Sequence, residues 1–136
     1  MLAEGNITQF KELGVQRIVT LSPHSYNAIK NDYPRYGGNF EVWHYTQLLQ
    51  KLISQGKLDV PHGFKATITF HDPCFLGRWN DGYEAPRAVL SATPGVELLE
   101  MEKNKDGALC CGGGGGNFYT DFLSGSPSSP GRRRVR

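Results

Sequence analysis

Hydrophobic positions along the chain switch repeatedly between helical and strand spacing. Ile7, Phe10 and Leu13 are spaced for one face of a helix, and Gly14 closes that segment. Arg17 to Leu21 is a short β-branched run of the kind found in a buried strand. Ser22-Pro23 then reads as an N-cap followed by proline at the first helical position, predicting a helix to about Tyr33. Pro34 and the Gly37-Gly38 pair end it. Phe40 to Trp43 predicts a second strand. From Tyr45 to Ser54, Leu48, Leu49, Leu52 and Ile53 gather on one side of a helix, with Gly56 after it.

The second half repeats the alternation. After Pro61-His62-Gly63, Lys65 to Phe70 predicts a strand, with His71-Asp72-Pro73-Cys74 at its end. Glu84 to Ala92 has a helical pattern, Pro94-Gly95 a turn, and Val96 to Met101 another strand pattern. A polar loop from Glu102 to Gly107 leads into Leu109-Cys110-Cys111. Strands alternating with helices in this way predict an α/β fold of parallel-sheet βα units. Ser124 to Gly131 has loop composition, and the sequence then runs out in Arg132-Arg133-Arg134-Val135-Arg136.

Composition narrows the classes. At 136 residues the chain has the size of one domain, or of pieces of two small ones. Apolar residues make up 38%, and 17 glycines bring the total near the usual half of a globular protein. No apolar stretch approaches the ~18 residues needed to cross a bilayer. Glu4, Lys11, Glu12 and Arg17 interrupt the first twenty positions, so no signal-peptide core is present there. The net charge of +2 misleads, because four of the 15 basic residues sit in the last five positions. The body is faintly acidic, and no basic face for nucleic acid runs through it.

The three cysteines, Cys74, Cys110 and Cys111, carry the candidate chemistry. An odd count without a secretion signal argues for a reducing compartment rather than a disulfide scaffold. Cys74 follows a predicted strand, where α/β folds gather functional groups. If Asp72 or Pro73 opens a helix, its thiol lies near unpaired amide N–H groups; a buried, inert cysteine is the bland alternative. Cys110 and Cys111 are adjacent and followed by Gly112 to Gly116. Core packing rarely needs neighbouring thiols, whereas a metal cluster offers ligand positions a few ångströms apart. Glycines let the backbone approach closely and turn successive N–H groups toward an anion. Their entropic cost, roughly 0.5–1 kcal/mol each relative to alanine in regular structure, points to a use. A phosphate loop is the rival, but the run lacks the Gly-Lys-Ser/Thr ending of a Walker A loop. Zinc held by Cys74, Cys110, Cys111 and His71, and a strained Cys110–Cys111 disulfide, remain further alternatives.

Three stretches carry a family resemblance: His71-Asp72-Pro73-Cys74-Phe75-Leu76-Gly77-Arg78, Glu100-Met101-Glu102, and Cys110-Cys111 with Gly112 to Gly116. Together they resemble the cysteine-rich, or CCG, domain of heterodisulfide reductases, of glycolate and lactate oxidase iron–sulfur subunits, and of related iron–sulfur oxidoreductases. The family pattern is one Cys, some thirty-odd residues, Cys-Cys-Gly, a similar gap, and a closing Cys-x-x-Cys. The 35 residues between Cys74 and Cys110 fit it. The resemblance implies that residues 1–62 are the end of a first, degenerate CCG repeat and residues 63–123 most of a second. Residues 124–136 are then a loop and basic tail, with the closing Cys-x-x-Cys expected beyond Arg136.

The resemblance further implies a [4Fe-4S]-type iron–sulfur cluster with Cys74, Cys110 and Cys111 as ligands and an incomplete ligand set in this chain. Gly112, Gly113 and Gly114 would wrap the cluster, and His71 would be a proton-handling catalytic neighbour. Electron transfer, or reduction of a disulfide or other substrate, is the implied function. Ferredoxin-like domains or subunits and a flavoprotein or quinone-linked partner are the implied redox partners. The implied location is cytoplasmic, or at the cytoplasmic face of a membrane-bound redox complex, without membrane contact by this segment. Ser22-Pro23-His24-Ser25 occupies the place of the Cys-Pro-x-Cys that closes a preceding repeat. Serine is a poor ligand for soft iron–sulfur centres, so the first repeat is expected to keep its fold without a cluster. A non-catalytic docking module that has lost its cluster is the competing class. His24, His44 and His62 read as surface or core residues, Arg78 as facing either solvent or an anion, and Trp43, Trp79, Phe118 and Tyr119 as core or cover.

Overall fold

The computed structural model of the protein describes residues 2–112; the expectations for Gly113, Gly114, Phe118, Tyr119 and the 124–136 tail lie outside the described residues. The first helix, α1 (Leu2–Glu12), has Glu4 in its first turn and Lys11 in its last, matching the helix dipole. It buries Ile7, and Phe10 meets the ring of Phe40 edge-on at 5.6 Å. Leu13 falls one residue beyond the helix and stays exposed, so the apolar face ends at Phe10.

Two βαβ units follow. In the first, β1 (Arg17–Thr20) pairs in parallel with β2 (Glu41–His44), Arg17 opposite Glu41 and Thr20 opposite His44. The two strands are joined by α2 (Pro23–Asn27), whose N-cap is Ser22 as the sequence predicts: its hydroxyl accepts the Ser25 N–H at 3.3 Å. The helical path continues through a wide turn over Ala28–Asp32 and a tight one over Tyr33–Tyr36, and closes at Gly37 with φ +78°. Pro34 does not end the helix. It opens that last tight turn, where its missing N–H costs nothing. The Arg17–Leu21 run is covered on one face only, since Val19 is 50% exposed. Directly off β2 comes α3 (Tyr45–Ser54), at the predicted bounds, with the Gln47 side chain accepting the His44 N–H at 3.0 Å.

In the second unit, β3 (Ala66–Ile68) pairs in parallel with β4 (Val96–Leu98), and α4 (Glu84–Ser91) lies between them in sequence. Both strands are shorter than their apolar runs. Past Leu99, whose N–H still reaches the Ile68 carbonyl at 2.8 Å, the chain leaves the sheet to place Glu100 against α4.

Helices α3 and α4 pack on each other and join the two units. His44, Thr46, Phe70, Pro73, Leu76 and Pro86 line a cavity of about 260 Å³ at this junction. His44 is buried there; its Nε2 donates to the Leu21 carbonyl at 3.2 Å and its Nδ1 accepts from the Thr46 hydroxyl at 2.8 Å. Burial lowers the His44 pKa, against the pull of the Leu21 bond. A second seam is made of amides. Asn80 donates to Asn27 Oδ1 at 3.0 Å, and Asn31 donates to Asn27 and Asn80 at 2.8 and 3.1 Å. Among the described residues no helix is long and apolar enough to cross a membrane.

Two glycines give opposite predictions. A Cβ on Gly63 would lie 1.8 Å from the Pro94 carbonyl oxygen, whereas one on Gly5, inside α1, would meet nothing within 4 Å. Gly63→Ala should destabilise by about 1–3 kcal/mol, through forced backbone displacement. Gly5→Ala should stabilise by roughly 0.5–1 kcal/mol, through helix propensity. Urea midpoints of the two variants check both signs.

Candidate functional site

The loop that carries Cys74 is anchored at its base by an arginine. Asp72 follows β3 and is buried, with 2% of its side chain exposed; Arg87, on α4, is almost as deep. The guanidinium uses all five of its N–H groups. Nη1 and Nη2 donate to the two Asp72 oxygens at 2.7 and 2.9 Å. Nε and Nη2 donate to the two Glu100 oxygens at 2.5 and 2.9 Å, and Nη1 also reaches the Tyr83 carbonyl at 2.8 Å. Asp72 Oδ2 additionally accepts the Lys105 N–H at 2.7 Å, and the Phe70 ring lies 5.7 Å from the guanidinium carbon.

Burial pushes the Asp72 carboxyl up, but its bonds from Arg87 and the Lys105 amide outweigh this and hold it below its ordinary value. The same guanidinium lowers Glu100 and is itself raised by both carboxylates. The Lys105 ammonium, paired with Glu84 at 2.7 Å, is raised by that bond.

No α-helix opens at Asp72 or Pro73; residues 74–80 form a string of turns. Gly77 N–H returns to the Pro73 carbonyl at 2.8 Å and Gly82 N–H to the Leu76 carbonyl at 2.8 Å, around the buried Leu76. A Cβ on Gly77 would lie 2.4 Å from the Tyr83 ring, so the turn closes tightly only with glycine there. Cys74 is half-buried, and the donor at its sulfur is the Arg78 side chain, Nη1 to Sγ 3.3 Å, instead of a helix N-terminus. The first unit braces this loop. His24 packs on Phe75 at 4.6 Å, Phe75 stacks on Trp79 at 6.3 Å, and Asn80 donates to the Phe75 carbonyl at 2.7 Å.

Cys110 and Cys111 are exposed, on the segment that follows the tight turn Lys105–Gly107 and the buried Ala108. Two side chains from the Cys74 loop hold that segment. Arg78 donates from Nε to the Asp106 carbonyl at 2.9 Å and from Nη2 to the Ala108 carbonyl; His71 Nε2 donates to the Leu109 carbonyl at 2.8 Å. Gly112, at φ +74°, turns its own N–H to Cys110 Sγ at 3.4 Å. None of the three thiols is in a disulfide. Soft thiol donors on two loops, with N–H groups already directed at two of the sulfurs, fit the chemistry of an iron–sulfur centre. Among the described residues no three His, Cys, Asp or Glu side chains stand together in a metal-holding group.

His71, Cys74, Cys110, Cys111 and Gly112 thus lie on two segments bonded to each other. Gly113 and Gly114 lie outside the described residues. Trp79 is neither core nor a closed cover, being 68% exposed, while Trp43 donates to Glu41 at 2.9 Å beneath the Lys51 ammonium. Sequence reasoning missed Asp72, Arg87 and Glu100 as a unit. The signal was a charged residue at position 87, on the face where Pro86 and Leu90 point inward.

Replacing Arg87 by Met strands a buried carboxylate and should cost about 3–5 kcal/mol at neutral pH. Asp72 and Glu100 have lowered native pKa values, so their contribution is present above the ordinary values of 3.8 and 4.5 and is lost as pH falls through the lowered ones. The gap between wild type and Arg87→Met should therefore narrow on acidification below about pH 4.5, as denaturant midpoints along a pH series will show.

Comparison with known proteins gives these loops a family. Residues 68–127 match the cysteine-rich domain family CCG. The chain is 47% identical over 92% of its length to the probable iron-sulfur-binding oxidoreductase FadF of Bacillus subtilis, covering 18% of that protein. It is 45% identical over 88% of its length to the EtfAB:quinone oxidoreductase of Syntrophomonas wolfei, covering 17% of it. It is 41% identical over 85% of its length to a dihydromethanophenazine:CoB–CoM heterodisulfide reductase subunit of Methanosarcina barkeri, covering 29% of it. The chain therefore spans less than a third of each of these relatives. No solved structure matches it significantly. Cys74, Cys110 and Cys111 all fall inside the span, residues 68–127, that matches the CCG cysteine-rich domain family.

Proposed function

We propose that this protein is part of a heterodisulfide reductase-like iron–sulfur oxidoreductase, with Cys74, Cys110 and Cys111 as ligands of a [4Fe-4S]-type cluster. The observation that carries this is the pair of loops: the Cys74 turn and the Cys110–Cys111 segment are bonded to each other through Arg78 and His71. The match of residues 68–127 to the CCG family and a relative named a probable iron-sulfur-binding oxidoreductase support it. The division into the end of one repeat, residues 1–62, and most of a second, residues 63–123, belongs to the same proposal.

When bound, the cluster supplies one-electron transfer, or the electrons for reducing a disulfide or other substrate. The chain's own residues do the rest. Cys74, Cys110 and Cys111 offer sulfur, Arg78 and Gly112 direct N–H groups at two of those sulfurs, and the glycine run that begins at Gly112 would, lacking Cβ atoms, permit close backbone approach. His71 donates from Nε2 to the Leu109 carbonyl and in this scheme is the proton-handling neighbour of the cluster. The electron partners in this scheme are ferredoxin-like domains or subunits and a flavoprotein or quinone-linked protein, in keeping with a relative named an EtfAB:quinone oxidoreductase.

The test is iron and acid-labile sulfide in the anaerobically purified protein, carried in its full-length chain. Matching iron and sulfide that fall to near background in Cys110→Ser and Cys74→Ser are expected. A folded, iron-free protein that still binds its redox partner would instead assign the segment to docking.

A further inference from the structure

Resting on the assignment of Cys74, Cys110 and Cys111 as ligands, we propose that Arg78 is a positioning residue that couples the two cysteine-bearing loops and tunes the Cys74 sulfur. Its guanidinium is divided between two tasks. The side edge, Nε and Nη2, donates to the carbonyls of Asp106 and Ala108, on the approach to Cys110. The remaining nitrogen, Nη1, donates to Cys74 Sγ at 3.3 Å.

One planar group thus fixes the sulfur on one loop relative to the backbone of the other. His71 makes the parallel tie to Leu109 but gives nothing to a sulfur, so Arg78 alone combines both roles among the described residues. The fork geometry matters. A lysine ammonium keeps the charge, but its donors radiate from one atom and cannot span the Asp106 and Ala108 carbonyls together with the sulfur. An N–H···S bond to a ligating sulfur stabilises the more reduced, more negative state, so removing it should make the potential more negative. The surroundings support coupling over ligand binding. Asp106 and Asp81 lie near this loop, and neither the junction cavity nor the groove beside Trp43 reaches the guanidinium.

The experiment compares Arg78→Lys and Arg78→Gln in the full-length protein, with amide exchange in α3 as the control for folding. Two quantities are read. Amide exchange over residues 106–112 is followed in as-purified and in iron-stripped protein, and the midpoint potential is titrated in samples with wild-type iron content. In both variants exchange over 106–112 should rise about tenfold while α3 is unchanged, since two carbonyl bonds are lost. The midpoint potential should shift negative in both. Wild-type exchange and potential in Arg78→Lys would overturn the proposal, because charge alone would then suffice. Exchange that rises with no change in potential would overturn the tuning role. If the wild-type protein holds no iron, the ligand assignment fails by itself, and wild-type exchange in the stripped Arg78→Lys protein would overturn the coupling separately.

Discussion

A guanidinium taken out of water is stable only if each of its donors is met, because a buried charge lacking partners costs several kcal/mol. Arg87 meets that condition with two carboxylates and the Tyr83 carbonyl. The consequences spread along the chain. Asp72 must stop the excursion of β3 at a fixed point, Glu100 must leave β4 toward the same point, and α4 must be rolled so that position 87 faces inward. Lys105 is drawn in as well, since its N–H meets Asp72 Oδ2. The Cys74 turn is strung between Asp72 and Arg87, and the Cys110–Cys111 segment begins just after Lys105. Both thiol-bearing loops therefore start from one charge network.

The first βαβ unit contributes support. Its Ser22 hydroxyl caps α2 by accepting the Ser25 main-chain N–H. What it offers the second unit is a surface. His24 packs on Phe75, and Asn27 and Asn31 hold Asn80, which in turn holds the Phe75 carbonyl next to Cys74. The first unit thus helps fix the loop on which its neighbour presents a thiol.

Much of this is legible in the sequence where the cause is local. The Ser22 cap, the closing Gly37 and the bounds of α3 depend on neighbouring residues only, and each is in place. The three cysteines stand out because adjacent thiols before a glycine run have few structural uses. Non-local causes are not legible. Arg87 goes unremarked in the sequence because its partners Asp72 and Glu100 come from two different strand ends and converge on it only in the fold. Sequence alone leaves Arg78 between solvent and an anion, because its three acceptors lie on two segments, one of them 28 to 30 residues away. The helix conditionally expected at Pro73 gives way to turns, in which Gly77 packs against Tyr83 and Leu76 is buried.

The central proposal is that Cys74 and the Cys110–Cys111 pair, on two loops that start from one charge network, ligate a common iron–sulfur centre. The most direct measurement is Mössbauer spectroscopy of the full-length protein labelled with iron-57, in wild type and with Cys74, Cys110 and Cys111 each replaced by serine. The wild-type spectrum should contain the signal of a sulfur-ligated cluster, and each replacement should abolish or alter that one signal. A cluster signal identical in wild type and all three variants would contradict it.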